Sequence, residues 1–211
     1  MFSRILADIR ATQERDPAAK SGLQVALLYS GLHAIWAYRL GHTLNGWGLF
    51  FIARANSQIA RWLTGVEIHP AAQIGERFFI DHGMGVIIGE TAVIGDDCLL
   101  FQGVTLGGTG NETGKRHPTL GDRVVVGAGA KVLGNIIIGA DTRIGANSVV
   151  LHNVPPHSTV VGIPGKVVRR RKSDENEALS HHNLPDPTMD ELVRLAKRVD
   201  VLEKAARRKK K

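Results

Sequence analysis

His82, in the run DHGMG (81–85), and His117, in GGTGNETGKRHPT (107–119), stand where an otherwise regular pattern is interrupted. An imidazole titrates near pH ~6.5 and can exchange a proton at neutrality, which makes these two residues the first candidates for chemistry. Each also admits a plainer role, as a polar residue in a turn or loop. Charged side chains are close at hand: Asp81 beside His82, Arg116 beside His117, and Glu67 fifteen residues before His82. Taken singly these are ordinary surface groups, as is Asp16 next to a proline. A zinc site would have to draw on His69, His82 and His117. None of these falls at the paired spacing of zinc ligands, so no metal is expected. The single cysteine, Cys98, excludes an intramolecular disulfide and sits in a strand-like run (DDCLLF) as a small buried residue.

The elements that must position these groups are written in a six-residue period. Branched aliphatics recur at Ile68, Ile74 and Ile80, then at Ile88, Ile94, Leu100 and Leu106, and after a gap at Leu120, Val126, Val132, Ile138, Ile144 and Val150. Glycine often follows the aliphatic, and a small residue such as Ala72, Ala92, Cys98, Ala130, Thr142 or Ser148 stands four places after it. Six fits neither the helical period of about 3.6 nor a series of hairpins. It fits a parallel β-helix of hexapeptides, in which three short strands and three turns make one triangular coil. The inward aliphatic then stacks on the residue eighteen positions later. The period breaks at 81–85 and at 107–119, and excursions from a rigid scaffold are where function concentrates.

The flanks read as helical. LQVALLYSGLHAIWAYRLGHTL (23–44) has apolar residues at helical spacing, SQIARWLTG (57–65) leads to a glycine stop, and RDPAAKSG (15–22) is a connector or helix start. Near the C-terminus Thr188 is a candidate cap, and Leu192, Leu195, Val199 and Leu202 form either a coiled-coil seam or one face of a helix folded back on its own subunit. The domains expected are 1–64 helical, 65–168 β-helix with the excursion loop, and 169–211 linker and basic helix. Eleven of the 27 Lys and Arg fall in KVVRRRK (166–172) and KAARRKKK (204–211), leaving 16 against 20 acids elsewhere. The basicity is therefore a property of two short runs, and neither nucleic acid nor a membrane surface is an expected partner. Without a signal-like segment or a spanning apolar run, the expected compartment is the cytoplasm.

Taken together, RDPAA (15–19), GLHAIWAYRLGH (31–42), EIHPAAQIG (67–75), FFIDHGMGVIIGETAVIGDD (78–97), QGVTLGGTG (102–110), KRHPTLG (115–121), GAGAKVLGNIIIG (127–139) and VVGIPGK (160–166) resemble the serine acetyltransferase family. The resemblance implies a left-handed β-helix and direct acetyl transfer from acetyl-CoA, the co-substrate, to the hydroxyl of L-serine, the first step of cysteine biosynthesis. It makes His82 the general base and Glu67 its acidic partner. It places serine on Asp16, Asp81, Arg116 and His117, with carboxylates for the ammonium and Arg116 for the carboxylate. It runs the CoA arm along a groove between adjacent β-helices, past Gly108, Ala128, Gly129 and Lys131, with Lys166 and Arg169–Arg171 towards the phosphates. A backbone N–H is the expected stabiliser of the oxyanion.

The family pattern also implies a trimer, paired into hexamers where the helical domain is longer. With about 64 residues ahead of the repeats, a trimer is the expectation here. The family's cysteine synthase complex uses a C-terminal isoleucine, whereas this sequence ends in Lys209–Lys211, so that complex is not expected. L-cysteine is the implied feedback inhibitor. The competing readings are a hexapeptide acyltransferase acting on another hydroxyl, a zinc hydratase, and a non-catalytic trimeric scaffold.

Overall fold

A computed structural model describes residues 2–111, 113–170 and 192–202. Four helices come first: α1 (Phe2–Arg15), α2 (Gly22–Leu28), α3 (Ser30–Gly46) and α4 (Phe50–Thr64). The strands then follow coil by coil. The first coil holds β1 (Glu67–Ile68), β2 (Gln73–Ile74) and β3 (Phe79–Ile80), and the second β4 (Ile87–Ile88), β5 (Val93–Ile94) and β6 (Leu99–Leu100). The third holds β7 (Thr105–Gly107), β8 (Thr119–Leu120) and β9 (Val125–Val126), and the fourth β10 (Lys131–Leu133), β11 (Ile137–Ile138) and β12 (Arg143–Ile144). The last holds β13 (Val149–Val150) and β14 (Ser158–Val161), closed by β15 (Lys166–Arg170), which turns back antiparallel on β14.

Three sheets result: A (β1-β4-β7-β10-β13), B (β2-β5-β8-β11) and C (β3-β6-β9-β12-β14-β15). Each strand is only two to five residues long, so a coil has no stability alone. Stacking coils completes the backbone hydrogen bonds and buries one aliphatic per strand. Ile80, Ile88, Leu100, Leu106, Leu120, Ile138 and Ile144 are all fully buried in this column, and Ala72, Ala92, Cys98, Ala130, Thr142 and Ser148 fill its corners.

Eighteen-residue stacking holds where coils are regular, as in Ile87 opposite Thr105 and Lys131 opposite Val149. The two excursions lengthen it. Glu67 lies opposite Ile87, twenty residues on, because of the 81–85 insertion. Thr105 lies opposite Lys131, twenty-six on, because of the loop between β7 and β8. The sheets stay in register, and the extra residues bulge outward at corners.

The helices are fastened to the first coil. Tyr38 Oη donates to Ala72 O at 2.6 Å, Ser57 Oγ to Ile68 O at 2.7 Å, and His42 Nδ1 meets Pro70 O at 2.8 Å. Gly31 of α3 lies directly on β3, where any Cβ would meet Ile80 O at 2.1 Å. The buried Asp8 of α1 takes both guanidinium nitrogens of Arg39 and the indole of Trp36. Gly65 ends α4 in the left-handed conformation, as the spacing predicts.

The helical segment 23–44 is divided between α2 and α3. It breaks at Tyr29, whose backbone is extended and whose ring packs beside Phe79, Leu99 and Val125 on the outer face of sheet C. Thr188 lies outside the described residues. The helix at 192–202 presents Leu192, Leu195, Val199 and Leu202 as exposed side chains.

Candidate active site

The triangular coil has three corners, between sheets A and B, B and C, and C and A. Residues 81–86 cross the CA corner of the first coil, and His82 sits there with left-handed backbone (φ 60°). The turn is held by Gly83 N–H to Asp81 O at 2.7 Å, Met84 N–H to His82 O at 3.0 Å and Ser30 Oγ to His82 O at 3.3 Å. These bonds project the imidazole outward, 73% exposed, with Nε2 3.8 Å from Asp81 Oδ1.

Asp16 comes to the same corner from the turn after α1. Arg15 pins that turn by donating to Asp97 Oδ1 at 2.6 Å and to Arg77 O at 3.0 Å. Asp16 Oδ1 accepts from Ala18 N–H at 2.8 Å and Oδ2 from Tyr29 Oη at 2.5 Å. Burial raises the Asp81 carboxyl above its ordinary range, His82 pulls it down, and the Asp16 charge raises it further. Tyr29 is pushed up to about 12, chiefly by its bond to Asp16 and then by burial. Two carboxylates and an imidazole therefore converge here, a setting suited to an ammonium group beside a hydroxyl.

Below His82 the CA corner is bare. Gly85, Gly103 and Gly129 stack coil on coil in the left-handed region, and a Cβ on Gly103 would stand 3.3 Å from Gly129 Cα. Ala128 and Lys131 flank the column, and Lys131 Nζ donates to Gly103 O. The column continues past Asn147 to the turn at 162–165 that leads into Lys166. A slender acyl-thioester arm fits such a strip. The sequence carries the signal of this column in glycines spaced at the coil length, Gly85, Gly103 and Gly129.

Arg116, His117 and Gly108 lie elsewhere. The loop leaves sheet A and re-enters sheet B, so they gather at the AB corner. Thr91 N–H donates to His117 Nδ1 at 3.2 Å, which leaves the proton of the neutral ring on Nε2, and Thr91 Oγ1 accepts from Arg116 N–H and His117 N–H. The ring is nearly buried against Gly89, where a Cβ would meet Nε2 at 2.1 Å. Burial first, and the Arg116 charge second, lower its pKa. Arg116 Nη2 donates to Glu90 Oε2 at 2.5 Å. His69 belongs to this corner too, so His69, His82 and His117 do not form one cluster. No group of three or more His, Cys, Asp or Glu suited to a metal occurs among the described residues.

Glu67 opens β1 and is paired with α4: Arg54 Nη2 at 2.8 Å and Arg61 Nη1 at 2.9 Å. These ion pairs, rather than His82, are its described partners. Residues about six per side at ~3.3 Å rise put neighbouring corners on the order of 15–20 Å apart, so one chain does not bring Arg116 and His117 to His82. Counting hexads from each break would have assigned the two histidines to different corners. Tyr29, Ser30, Glu90 and Thr91 carry no signal that reads as a site by type alone.

A parallel hexapeptide coil with an N-terminal helical cap and an imidazole–carboxylate corner defines a hexapeptide-repeat transferase built on a left-handed β-helix. A family model for bacterial transferase hexapeptides (six repeats) matches residues 117–152, and one for the N-terminal region of serine acetyltransferase matches residues 1–37. A serine acetyltransferase of Bacillus licheniformis is 55% identical over 208 residues, covering 99% of this chain and 96% of its own. The chain belongs to the serine acetyltransferase family.

Solved relatives agree. The Neisseria gonorrhoeae serine acetyltransferase in complex with serine superposes with a TM-score of 0.77 at 44% identity, over 80% of this chain and 69% of that one. A Brucella abortus serine acetyltransferase in complex with coenzyme A gives 0.78 at 40% identity, over 81% and 68%. A serine acetyltransferase in complex with cysteine gives 0.78 at 44%, over 79% and 69%.

Proposed function

We propose that the CA corner carries out acetyl transfer from acetyl-CoA to L-serine, giving O-acetyl-L-serine and CoA. The observation that carries this reading is the convergence of His82, Asp81 and Asp16 at the head of the glycine column. Serine's ammonium docks between the Asp16 and Asp81 carboxylates, which places its hydroxyl beside His82. His82 takes the hydroxyl proton as the oxygen attacks the thioester carbonyl. The C–S bond then breaks and the proton passes from the imidazolium to the departing thiolate, without a covalent acyl-enzyme. Glu67, held between Arg54 and Arg61, fixes the start of β1 beneath this turn.

Arg116 and His117 reach the substrate from a neighbouring copy. The two half-sites occupy different corners of one chain, so they meet only where the AB corner of one subunit abuts the CA corner of the next. A threefold ring satisfies this for every subunit. Arg116 then binds the serine carboxylate, His117 Nε2–H supplies a further donor, and Gly108 closes the far wall of the CoA groove. Lys131 and Lys166 supply positive charge along it. L-cysteine shares the α-ammonium and carboxylate, so it occupies the same site and competes with serine.

Two measurements test this. Mass analysis of the product from acetyl-CoA with L-serine, L-homoserine or a sugar should find acetylation of serine preferred; preference for another hydroxyl overturns the substrate assignment. Mixed trimers of His82→Ala and Arg116→Ala subunits should recover activity that neither homotrimer has, because some interfaces regain both halves. Absence of recovery in verified heterotrimers contradicts the shared site.

A further inference from the structure

We infer that Tyr29 is a positioning residue for substrate ammonium recognition, acting through Asp16; this rests on the assignment of Asp16 to the serine site. The break between α2 and α3 has no local cause in proline or glycine: Tyr29 itself takes the extended conformation, capping both helices. The fold uses this to lay its ring on the sheet C cluster of Phe79, Leu99 and Val125, with Phe101 alongside. Seated there, the hydroxyl meets Asp16 Oδ2 at 2.5 Å while Ala18 N–H occupies Oδ1 at 2.8 Å. Both carboxylate oxygens are thereby fixed in direction, and Arg15 anchors the preceding residue to Asp97.

The arrangement answers a specific problem. Asp16 and Asp81 are close enough to influence each other, and a free carboxylate on a surface turn would swing away from its like-charged neighbour. A phenol that stays protonated throughout the working pH range, donating to Asp16, holds the pair together before any cation arrives. The ammonium of serine then enters a preorganised cleft. Loss of one hydrogen bond to a charged group corresponds to about tenfold or more in binding.

Tyr29→Phe keeps the ring on its cluster and removes only the donor. In steady-state assays with acetyl-CoA the expected result is a serine KM raised about tenfold. The turnover number and the acetyl-CoA KM should stay within about twofold, with an unchanged melting temperature. Two comparisons separate positioning from general damage. With 3-hydroxypropanoate, which lacks the ammonium, wild type and Tyr29→Phe should perform alike. In an Asp16→Asn background, Tyr29→Phe should cost little more in serine kcat/KM, because the group it positions has already lost its charge.

The inference is overturned by an unchanged serine KM, by an equal loss with the amine-free acceptor, by a full penalty in the Asp16→Asn background, or by a collapsed melting temperature. These outcomes are read in variants of an active wild type. A wild type without serine-dependent turnover refutes the underlying assignment instead, and this inference with it.

Discussion

The CA and BC corners turn the chain through the same left-handed backbone and fill it in opposite ways. At the BC corner the left-handed residues are Arg77, Asp97, Arg123, Asp141 and His157, one per coil. At the CA corner they are His82 with Gly83 and Gly85, then Gly103, Gly129, Asn147 and Gly162. A non-glycine residue in this region costs roughly 1–2 kcal/mol. The BC corner offsets that with a ladder of alternating charge: Arg77 chelates Asp97, Arg123 meets Asp141 at 2.6 and 2.8 Å, and His157 lies 3.7 Å from the same Asp141. The left-handed turn does not itself demand glycine. Glycine recurs where the corner stays bare, along the face where we place the acetyl-CoA arm.

The largest effect should come from giving the bare corner a side chain. Gly103→Val sets a β-branched residue at φ 71° with Gly129 Cα within 3.3 Å of its Cβ. The acetyl-CoA KM should rise by on the order of a hundredfold, and stability should fall by about 2 kcal/mol from backbone strain. Normal acetyl-CoA kinetics in that variant would break the comparison, because the column would then be simple turn geometry.

Removing a BC rung remote from the Arg15 anchor should leave the chemistry untouched. Arg123→Ala removes the middle rung, and exposed pairs of this kind contribute up to about 1 kcal/mol. Denaturant titration should find a loss of that size, with kinetic constants within about twofold of wild type. A large fall in turnover would show that the BC corner has a part in the reaction.

A smaller effect distinguishes the corners by pH. Hydrogen bonds from Arg77 and Arg123 hold the Asp97 and Asp141 carboxyls below their ordinary range. Their folded pKa values are depressed, so the stability they contribute is complete above the unfolded value of ~3.9 and is lost as pH falls through the folded values. Melting temperature should therefore drop below about pH 4, and less steeply in Arg123→Ala. Asp81 runs the other way, being raised mainly by burial, so its removal should not soften the acid limb.

The strands were legible because the hexapeptide period places an aliphatic wherever the interior needs one. Ile68, Leu100 and Val132 could be read in isolation, since each fills its own layer. His82 and His117 were legible as candidates because they interrupt that period. Their separation is legible only by counting hexads up to each break, which residue type and spacing within the motifs do not show. Glu67 as the acidic partner of His82 is an expectation from the family pattern; its ion pairs with Arg54 and Arg61 depend on how α4 lies against β1, which the period does not carry. The break at Tyr29 is not legible, because periodicity registers the apolar character of 23–44 but not the cluster on sheet C against which the Tyr29 ring packs. Local pattern determined the scaffold here, while contacts distant in sequence determined how the site is held.

The most direct test of His82 as the base is the release of thiol from acetyl-CoA, followed with and without L-serine, for wild type, His82→Ala and Arg123→Ala. Serine-dependent release should fall by about 10²–10⁴ in His82→Ala and persist in Arg123→Ala. Serine-dependent release undiminished in a well-folded His82→Ala would contradict that role.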